Sequence, residues 1–240
     1  MPGLFDVEII RAALADFPDL SQFDSVLSDD ERERADRYRI QESRDTFTLA
    51  RGLLRIELAR RLNATPRDVQ FDVRPSGKPD LRPSDPRRPD WCFSVSHTGS
   101  DVAIAFALGR GVGVDIERLD RQANPLGIAK RYFTPRELQS LEATPAPART
   151  RAFFAGWTRK EAIVKARGST MSESLTTLSV DLDPEALHPH FEDEPGAPPG
   201  AECRLTTFEF PERNLIGAVA LCSNDSPRLR FEVLSVPRFD

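Results

Sequence analysis

Asp115 and Glu117 stand two residues apart in Gly111-Val112-Gly113-Val114-Asp115-Ile116-Glu117. Alternation along this segment predicts a β-strand with Val114 and Ile116 on one face and both acids on the other. Two carboxylates side by side on one strand face suit a hard cation. Downstream, Trp157-Thr158-Arg159-Lys160-Glu161-Ala162-Ile163-Val164-Lys165 reads as a helix in which Glu161 and Lys165, one turn apart, project from the same face. A third acid and an amine can therefore meet the first pair. Each motif has a plainer explanation: an Asp-x-Glu is commonly the solvent side of a half-buried strand, and a Glu–Lys pair at this spacing is commonly a surface ion pair. Against that, Phe153, Phe154, Trp157 and Val164 mark the apolar side of the helix, and Glu161 falls within that stripe. A carboxylate there is costly unless it is paired or bound to metal, which marks Glu161 as a candidate site residue.

Asp115, Glu117 and Glu161 together are a reasonable donor set for Mg²⁺, which takes oxygen ligands and usually keeps places for water and substrate phosphates. Phosphate chemistry is the expectation. Lys160 and Lys165 flank Glu161, and an ammonium is a good point-charge partner for phosphate oxygens. Ser94-Val95-Ser96-His97-Thr98-Gly99 ends a strand at a turn and offers His97 and hydroxyls to a phosphate, although a lone loop histidine is often structural. Ser76-Gly77-Lys78-Pro79 is a turn that places one lysine. Other chemistries lack support: Ser96 beside His97 has no G-x-S-x-G elbow, and His188 and His190 have no matching third ligand. Neither a Walker A loop nor a Rossmann glycine fingerprint is present.

The elements that must hold these residues recur loosely along the chain. A helix from about Arg44 to Leu62 is followed by a strand at Val69 to Val73, a Pro/Gly/Arg-rich loop, and apolar segments from Trp91 to Val95 and Val102 to Leu108. A second helix from about Arg149 to Ala166 leads to a strand at Leu178 to Leu182, a loop through Pro195 to Gly200, and apolar segments from Leu205 to Phe210 and Leu215 to Cys222. Thr144 to Ala148 and His190 to Gly200 read as loops from their prolines. This pattern predicts an α+β fold of two similar α/β halves, residues 1–109 and 110–240, related by a pseudo-two-fold axis with a ligand cleft between them. Arg51, four residues after Phe47 and three before Leu54, is a charge set into the apolar stripe of the first helix. It is the first half's contribution to that cleft.

At 240 residues, with 39% hydrophobic and 30% charged residues, the chain can bury a full core as one large or two small domains. The stretch Met1-Pro2-Gly3-Leu4-Phe5-Asp6 lacks the basic start and apolar run of a leader, no apolar run approaches a membrane span, and a cytoplasmic location is expected. Cys92, Cys203 and Cys222 are odd in number and lack C-x-x-C spacing, which argues against a disulfide framework or a structural zinc site. A net charge of −5 argues against general nucleic-acid binding. Locally, Arg32, Arg34, Arg37, Arg39, Arg44 and Arg51 would suit a polyanionic ligand or an acidic partner. Balanced by Asp29, Asp30, Glu31 and Glu33, they equally describe a solvated helix face.

In the order Ser76-Gly77-Lys78-Pro79, Phe93-Ser94-Val95-Ser96-His97-Thr98-Gly99, Gly113-Val114-Asp115-Ile116-Glu117, Phe133-Thr134-Pro135-Arg136-Glu137 and Trp157 to Lys165, the chain resembles the 4′-phosphopantetheinyl transferase superfamily. It is similar to the larger, surfactin-synthetase-activating type, and the resemblance runs from about Arg44 to Gly168. It implies transfer of the phosphopantetheine arm of coenzyme A to a serine of an acyl or peptidyl carrier protein, with release of adenosine 3′,5′-bisphosphate. On this resemblance Asp115, Glu117 and Glu161 would bind Mg²⁺, and Lys160 and Lys165 would hold the pyrophosphate. Lys78, Ser96, His97 and Arg51 would contact coenzyme A, while Glu161, a metal-bound water or Glu137 would serve as base. Glu137 is equally read as a capping-box acid after Thr134. Gly-Val-Asp replaces the usual Gly-Ile-Asp, and Thr98 stands where serine is common. An acidic carrier is expected to dock near residues 124–141, with Arg131, Tyr132, Phe133 and Arg136. No nucleic acid or membrane partner is implied, and a two-half chain implies a monomer.

Overall fold

The computed structural model describes residues 6–73, 79–82, 90–169, 175–195, 201–222 and 228–233. Two strand triplets carry the fold. In the first, β1 (Val7–Ala13) and β4 (Trp91–Thr98) flank β5 (Asp101–Leu108), both antiparallel to it. In the second, β6 (Val112–Arg118) and β9 (Arg204–Phe210) flank β10 (Leu215–Leu221), again antiparallel. Each triplet carries one 22-residue helix, α3 (Gln41–Leu62) on the first and α6 (Ala146–Arg167) on the second. The expected α+β architecture of two similar halves is therefore present. The N-terminal strand β1, absent from the sequence pattern, is the counterpart of β6.

Alternation along β5 explains the layering. Val102, Ile104 and Phe106 face α3, where they meet Leu49, Leu53, Leu54 and Leu58. Ala103, Ala105 and Ala107 face the other way, and with Val7 and Ile9 they meet Val112, Val114, Ile116, Val219 and Leu221 of the second triplet. On the far side, Ile216, Ala218 and Ala220 of β10 pack on Phe153, Phe154, Ile163 and Ala166 of α6. The two sheets thus lie face to face between two outer helices. Asp101, wholly buried at the β4–β5 turn, accepts hydrogen bonds from Arg213 (2.9 and 3.2 Å) and Arg118 (3.5 Å), and this fixes one sheet against the other.

Smaller elements complete the frame. They are α1 (Ser21–Ser25), α2 (Asp29–Asp36), the hairpin of β2 (Phe71–Val73) and β3 (Pro79–Leu81), α4 (Pro125–Tyr132), α5 (Pro135–Ala143), and the hairpin of β7 (Leu178–Val180) and β8 (Phe191–Asp193). Two segments expected as loops differ. Residues 146–148 open α6, since Pro147 occupies its first turn, where a backbone N–H has no helical partner anyway. Residues 191–193 form a strand because β7 offers a ladder. The last strand, β11 (Leu229–Val233), pairs in parallel with β1, so the chain returns to the first sheet after completing the second. Among the described residues no helix is long and apolar enough to cross a membrane.

Candidate active site

With Val112, Val114 and Ile116 committed to the interface between the sheets, Gly113, Asp115 and Glu117 face α6. Gly113 decides how near that helix comes. A Cβ there would lie 2.0 Å from the Ala162 carbonyl oxygen and 2.5 Å from the Ala166 nitrogen; at Gly111 it would lie 2.5 Å from the Ala166 carbonyl oxygen. Strand and helix backbones are in direct contact, as glycine in a strand allows. Lys165 is consequently laid over Asp115: its Nζ donates to Asp115 Oδ1 at 2.7 Å and to the Val114 carbonyl at 3.2 Å, and lies 3.3 Å from Glu161 Oε2. The structure brings Asp115, Glu161 and Lys165 together.

The unpaired edge of β6 lies along β4, and side chains join them. Ser94 Oγ accepts from the Val114 N–H at 3.1 Å, and Ser96 Oγ accepts from the Ile116 N–H at 3.2 Å. Ser96 Oγ also donates to Asp115 Oδ1 at 2.7 Å, and Thr98 Oγ1 donates to Glu117 Oε2 at 2.9 Å. The other oxygen of Glu117 takes a 2.7 Å bond from Arg121, whose side chain is 57% exposed. Three carboxylates thus share one region. Among the described residues, however, no three His, Cys, Asp or Glu side chains converge into a ready metal cage. Each strand acid is held by a hydroxyl of β4, Asp115 by Ser96 with Lys165 beside it and Glu117 by Thr98 with Arg121 beside it.

Electrostatics agree with an acid cluster short of positive charge. Burial first, then the charge of Asp115, push the Glu161 carboxyl up to about 8, with Lys165 pulling the other way. The same two causes raise Glu117. Burial pulls Lys165 down, but Asp115 and Glu161 outweigh it and hold its ammonium above the ordinary range. These oxygen donors fit a divalent cation by chemistry: adding positive charge would relieve the repulsion that lifts two of them. His97, exposed at the end of β4, is lowered first by desolvation and then by the charge of Lys165, with Asp115 opposing and Arg34 reinforcing. Charges of the acid cluster and of Arg34 in the first half both reach it.

A stability measurement checks the Glu161 environment. With its folded pKa raised from the ordinary 4.5 to about 8, its stabilising contribution is complete below pH 4.5 and is lost as pH rises to about 8. Each unit corresponds to about 1.4 kcal/mol, so the loss is on the order of a few kcal/mol. The melting temperature of metal-free protein is expected to fall over that window. In Glu161→Gln the fall should flatten; an unchanged slope would refute the assignment.

Arg51 lies elsewhere, in a cavity of 490 Å³ lined by α2, α3, residues 67–71, Pro79 and Arg82, all in the first half. Its guanidinium and that of Arg55 share Glu31, Arg51 Nε donating to Oε1 at 2.8 Å and Arg55 Nε to Oε2 at 2.5 Å. Phe71 lies under the guanidinium of Arg51 at 4.5 Å. Arg34, over the ring of Phe47, lines the same cavity.

Two family models match the chain: the 4′-phosphopantetheinyl transferase superfamily on residues 111–195, and the N-terminal part of 4′-phosphopantetheinyl transferases on residues 16–108. The chain is 32% identical to the 4′-phosphopantetheinyl transferase HetI of Nostoc sp. over 84% of its own length and 81% of the relative's. The chain belongs to the 4′-phosphopantetheinyl transferase superfamily. The 4′-phosphopantetheinyl transferase Sfp of Bacillus subtilis is 32% identical over 67% of this chain and 69% of its own. A holo-(acyl-carrier-protein) synthase of Bacillus anthracis, solved in complex with CoA (3′,5′-ADP), covers 46% of this chain and 93% of its own at 23% identity. Its TM-score of 0.36 is too low to bear on the fold or the site.

Not every residue that the superfamily resemblance singled out reaches the acid cluster. Lys160 does not. Its side chain is 0% exposed, and its Nζ donates to Glu137 Oε2 at 2.5 Å and to the Leu178 carbonyl, beneath the ring of Phe133. Neighbours in sequence point about 100° apart on a helix, so while Glu161 faces β6, Lys160 faces α5 and β7. Glu137 also accepts from the N–H groups of Thr134 (2.7 Å) and Val180 (2.8 Å), so it is both a capping-box acid and a lysine partner. Lys78 lies outside the described residues. Ser96 is turned to Asp115, a partnership for which the sequence holds one signal: the period-two run of hydroxyls Ser94, Ser96 and Thr98 along β4. The signal for the close helix approach is Gly113 within the strand and Gly111 just before it.

Proposed function

We propose that this protein moves the 4′-phosphopantetheine arm of coenzyme A onto a serine hydroxyl of an apo carrier protein, releasing adenosine 3′,5′-bisphosphate with Mg²⁺ as cofactor. The observation that supports this best is Lys165 held between Asp115 and Glu161 at the seam of the two halves. Asp115, Glu117 and Glu161 are the side chains that would hold the cation, which when bound supplies positive charge against a pyrophosphate. Lys165 adds a fixed ammonium beside the same phosphates. The serine oxygen forms a bond to the pantetheine-side phosphorus, and the bond from that phosphorus to the bridging oxygen breaks. Glu161, once a bound cation has drawn its carboxyl to the ionised form, is the carboxylate placed to accept the serine proton. The arginines of the 490 Å³ cavity offer cations to the nucleotide end, and His97, its pKa lowered, offers a neutral imidazole for hydrogen bonding.

The direct test incubates the protein with an apo acyl or peptidyl carrier, coenzyme A and Mg²⁺ and measures the carrier's intact mass. Gain of one phosphopantetheine arm, abolished by chelation, is expected; no gain on carriers from fatty acid, polyketide or peptide synthesis would overturn the proposal.

For the carrier we assign the stretch 124–141. Between Asn124 and Arg136 it holds Lys130, Arg131 and Arg136 with no acid, and Leu126, Ile128 and Tyr132 are half-buried there. An acidic carrier would meet cations around a partly apolar centre. Arg131→Glu is expected to raise the KM for carrier by about 5- to 10-fold, as rim charges do, and to leave the KM for coenzyme A unchanged. An unchanged carrier KM would count against this surface.

A further inference from the structure

We propose that Ser96 and Thr98 are positioning residues, whose hydroxyls reach from β4 to β6 and aim the Asp115 and Glu117 carboxylates at the divalent cation. Ser96 on this account acts on Asp115 and not on coenzyme A. The inference rests on the cation-dependent function proposed above and adds how two of its three acids are held.

A serine hydroxyl has one proton to donate. That of Ser96 is committed to Asp115 Oδ1 at 2.7 Å, while its oxygen accepts from the Ile116 N–H at 3.2 Å, and the side chain is buried. Thr98, likewise buried, donates to Glu117 Oε2 at 2.9 Å. A carboxylate oxygen held by a hydroxyl has a set rotamer, and its remaining lone pairs keep a defined direction. Partners of this kind typically govern metal affinity by about 10- to 100-fold. Ser94 is the internal comparison. It holds the same strand edge through the Val114 N–H at 3.1 Å, but among the described residues it has no bond to a carboxylate such as distinguishes Ser96. A seam function alone would make Ser94 and Ser96 equivalent; an orienting function separates them.

The probe is Mn²⁺, titrated into the full chain by electron paramagnetic resonance, with coenzyme A affinity and melting temperature measured in parallel. Ser96→Ala and Thr98→Val are expected to weaken Mn²⁺ by about 10- to 100-fold while coenzyme A binding without metal is retained. Thr98→Ser, which keeps the hydroxyl, should bind as wild type. Ser94→Ala should lower the melting temperature as Ser96→Ala does but leave Mn²⁺ affinity intact. If Asp115→Ala abolishes Mn²⁺ binding but Ser96→Ala and Thr98→Val bind as wild type, the positioning assignment falls alone. Loss of coenzyme A affinity in Ser96→Ala with unchanged Mn²⁺ affinity would also overturn it. A wild type that binds no Mn²⁺ would overturn the cation itself, and this inference with it. Should Ser96→Ala fail to fold, Thr98→Val against Thr98→Ser makes the same comparison at Glu117.

Discussion

Glu137→Ala is expected to destabilise the folded protein by about 3–5 kcal/mol, the usual cost of stranding one member of a buried ion pair. Lys160 has no water to turn to. Its ammonium has Glu137 Oε2 at 2.5 Å and one carbonyl, and burial already holds its pKa below the ordinary lysine range, with Glu137 opposing that fall. Removing the carboxylate also orphans the N–H groups of Thr134 and Val180, at the head of α5 and at the end of β7. Neutralisation of the lysine would cap the loss, since a buried amine can release its proton. Lys160→Met should cost less, because Glu137 would keep two backbone donors and the methionine stem fills the space. Chemical denaturation of the two single variants and the double variant measures this directly. A coupling energy near zero would show that the pair contributes nothing beyond packing. The pair joins α5 to α6, so the same experiment asks whether the proposed carrier-facing segment is held by the helix that bears Glu161.

What the sequence made legible follows from two periodicities. Asp115 and Glu117 share a face because strands repeat every two residues, and Glu161 and Lys165 share one because helices repeat near four. The surrounding pattern of helix, short strand and hairpin, twice over, could be read from apolar spacing alone. The pairing of Lys160 with Glu137 was not legible, because neighbours in sequence point about 100° apart on a helix. The place of β1 and the return of β11 to the first sheet were hidden for a different reason: strand partners depend on tertiary pairing, and seven apolar-leaning residues name no neighbour. Ser96 presents the same difficulty on a smaller scale. Its type allowed a phosphate or a carboxylate as partner, and only the approach of β4 to β6 gives it Asp115.

Asp115→Asn is expected to lower kcat/KM for carrier modification by about 10²- to 10³-fold while unfolding close to wild type. Asparagine keeps the volume and an oxygen that can accept from Ser96, so the seam persists; the negative charge is what disappears. Asp115 is the only acid of the cluster within 3 Å of both Ser96 Oγ and Lys165 Nζ, so its charge fixes the ammonium and raises both neighbouring acids. Two consequences separate this from a packing defect. Cation affinity should fall with activity, because a carboxylate ligand has become a neutral amide. The acid limb of the pH–rate profile should also move to lower pH, because Glu161 loses a neighbouring negative charge that raises its carboxyl. Asp115→Ala should lose as much activity and, by stranding Ser96 and freeing Lys165, some stability as well. If Asp115→Asn retains transfer at the wild-type rate, the carboxylate is neither a metal ligand nor the charge that tunes Glu161. Lys165 and Glu161 would then have to carry the chemistry through their own 3.3 Å pair.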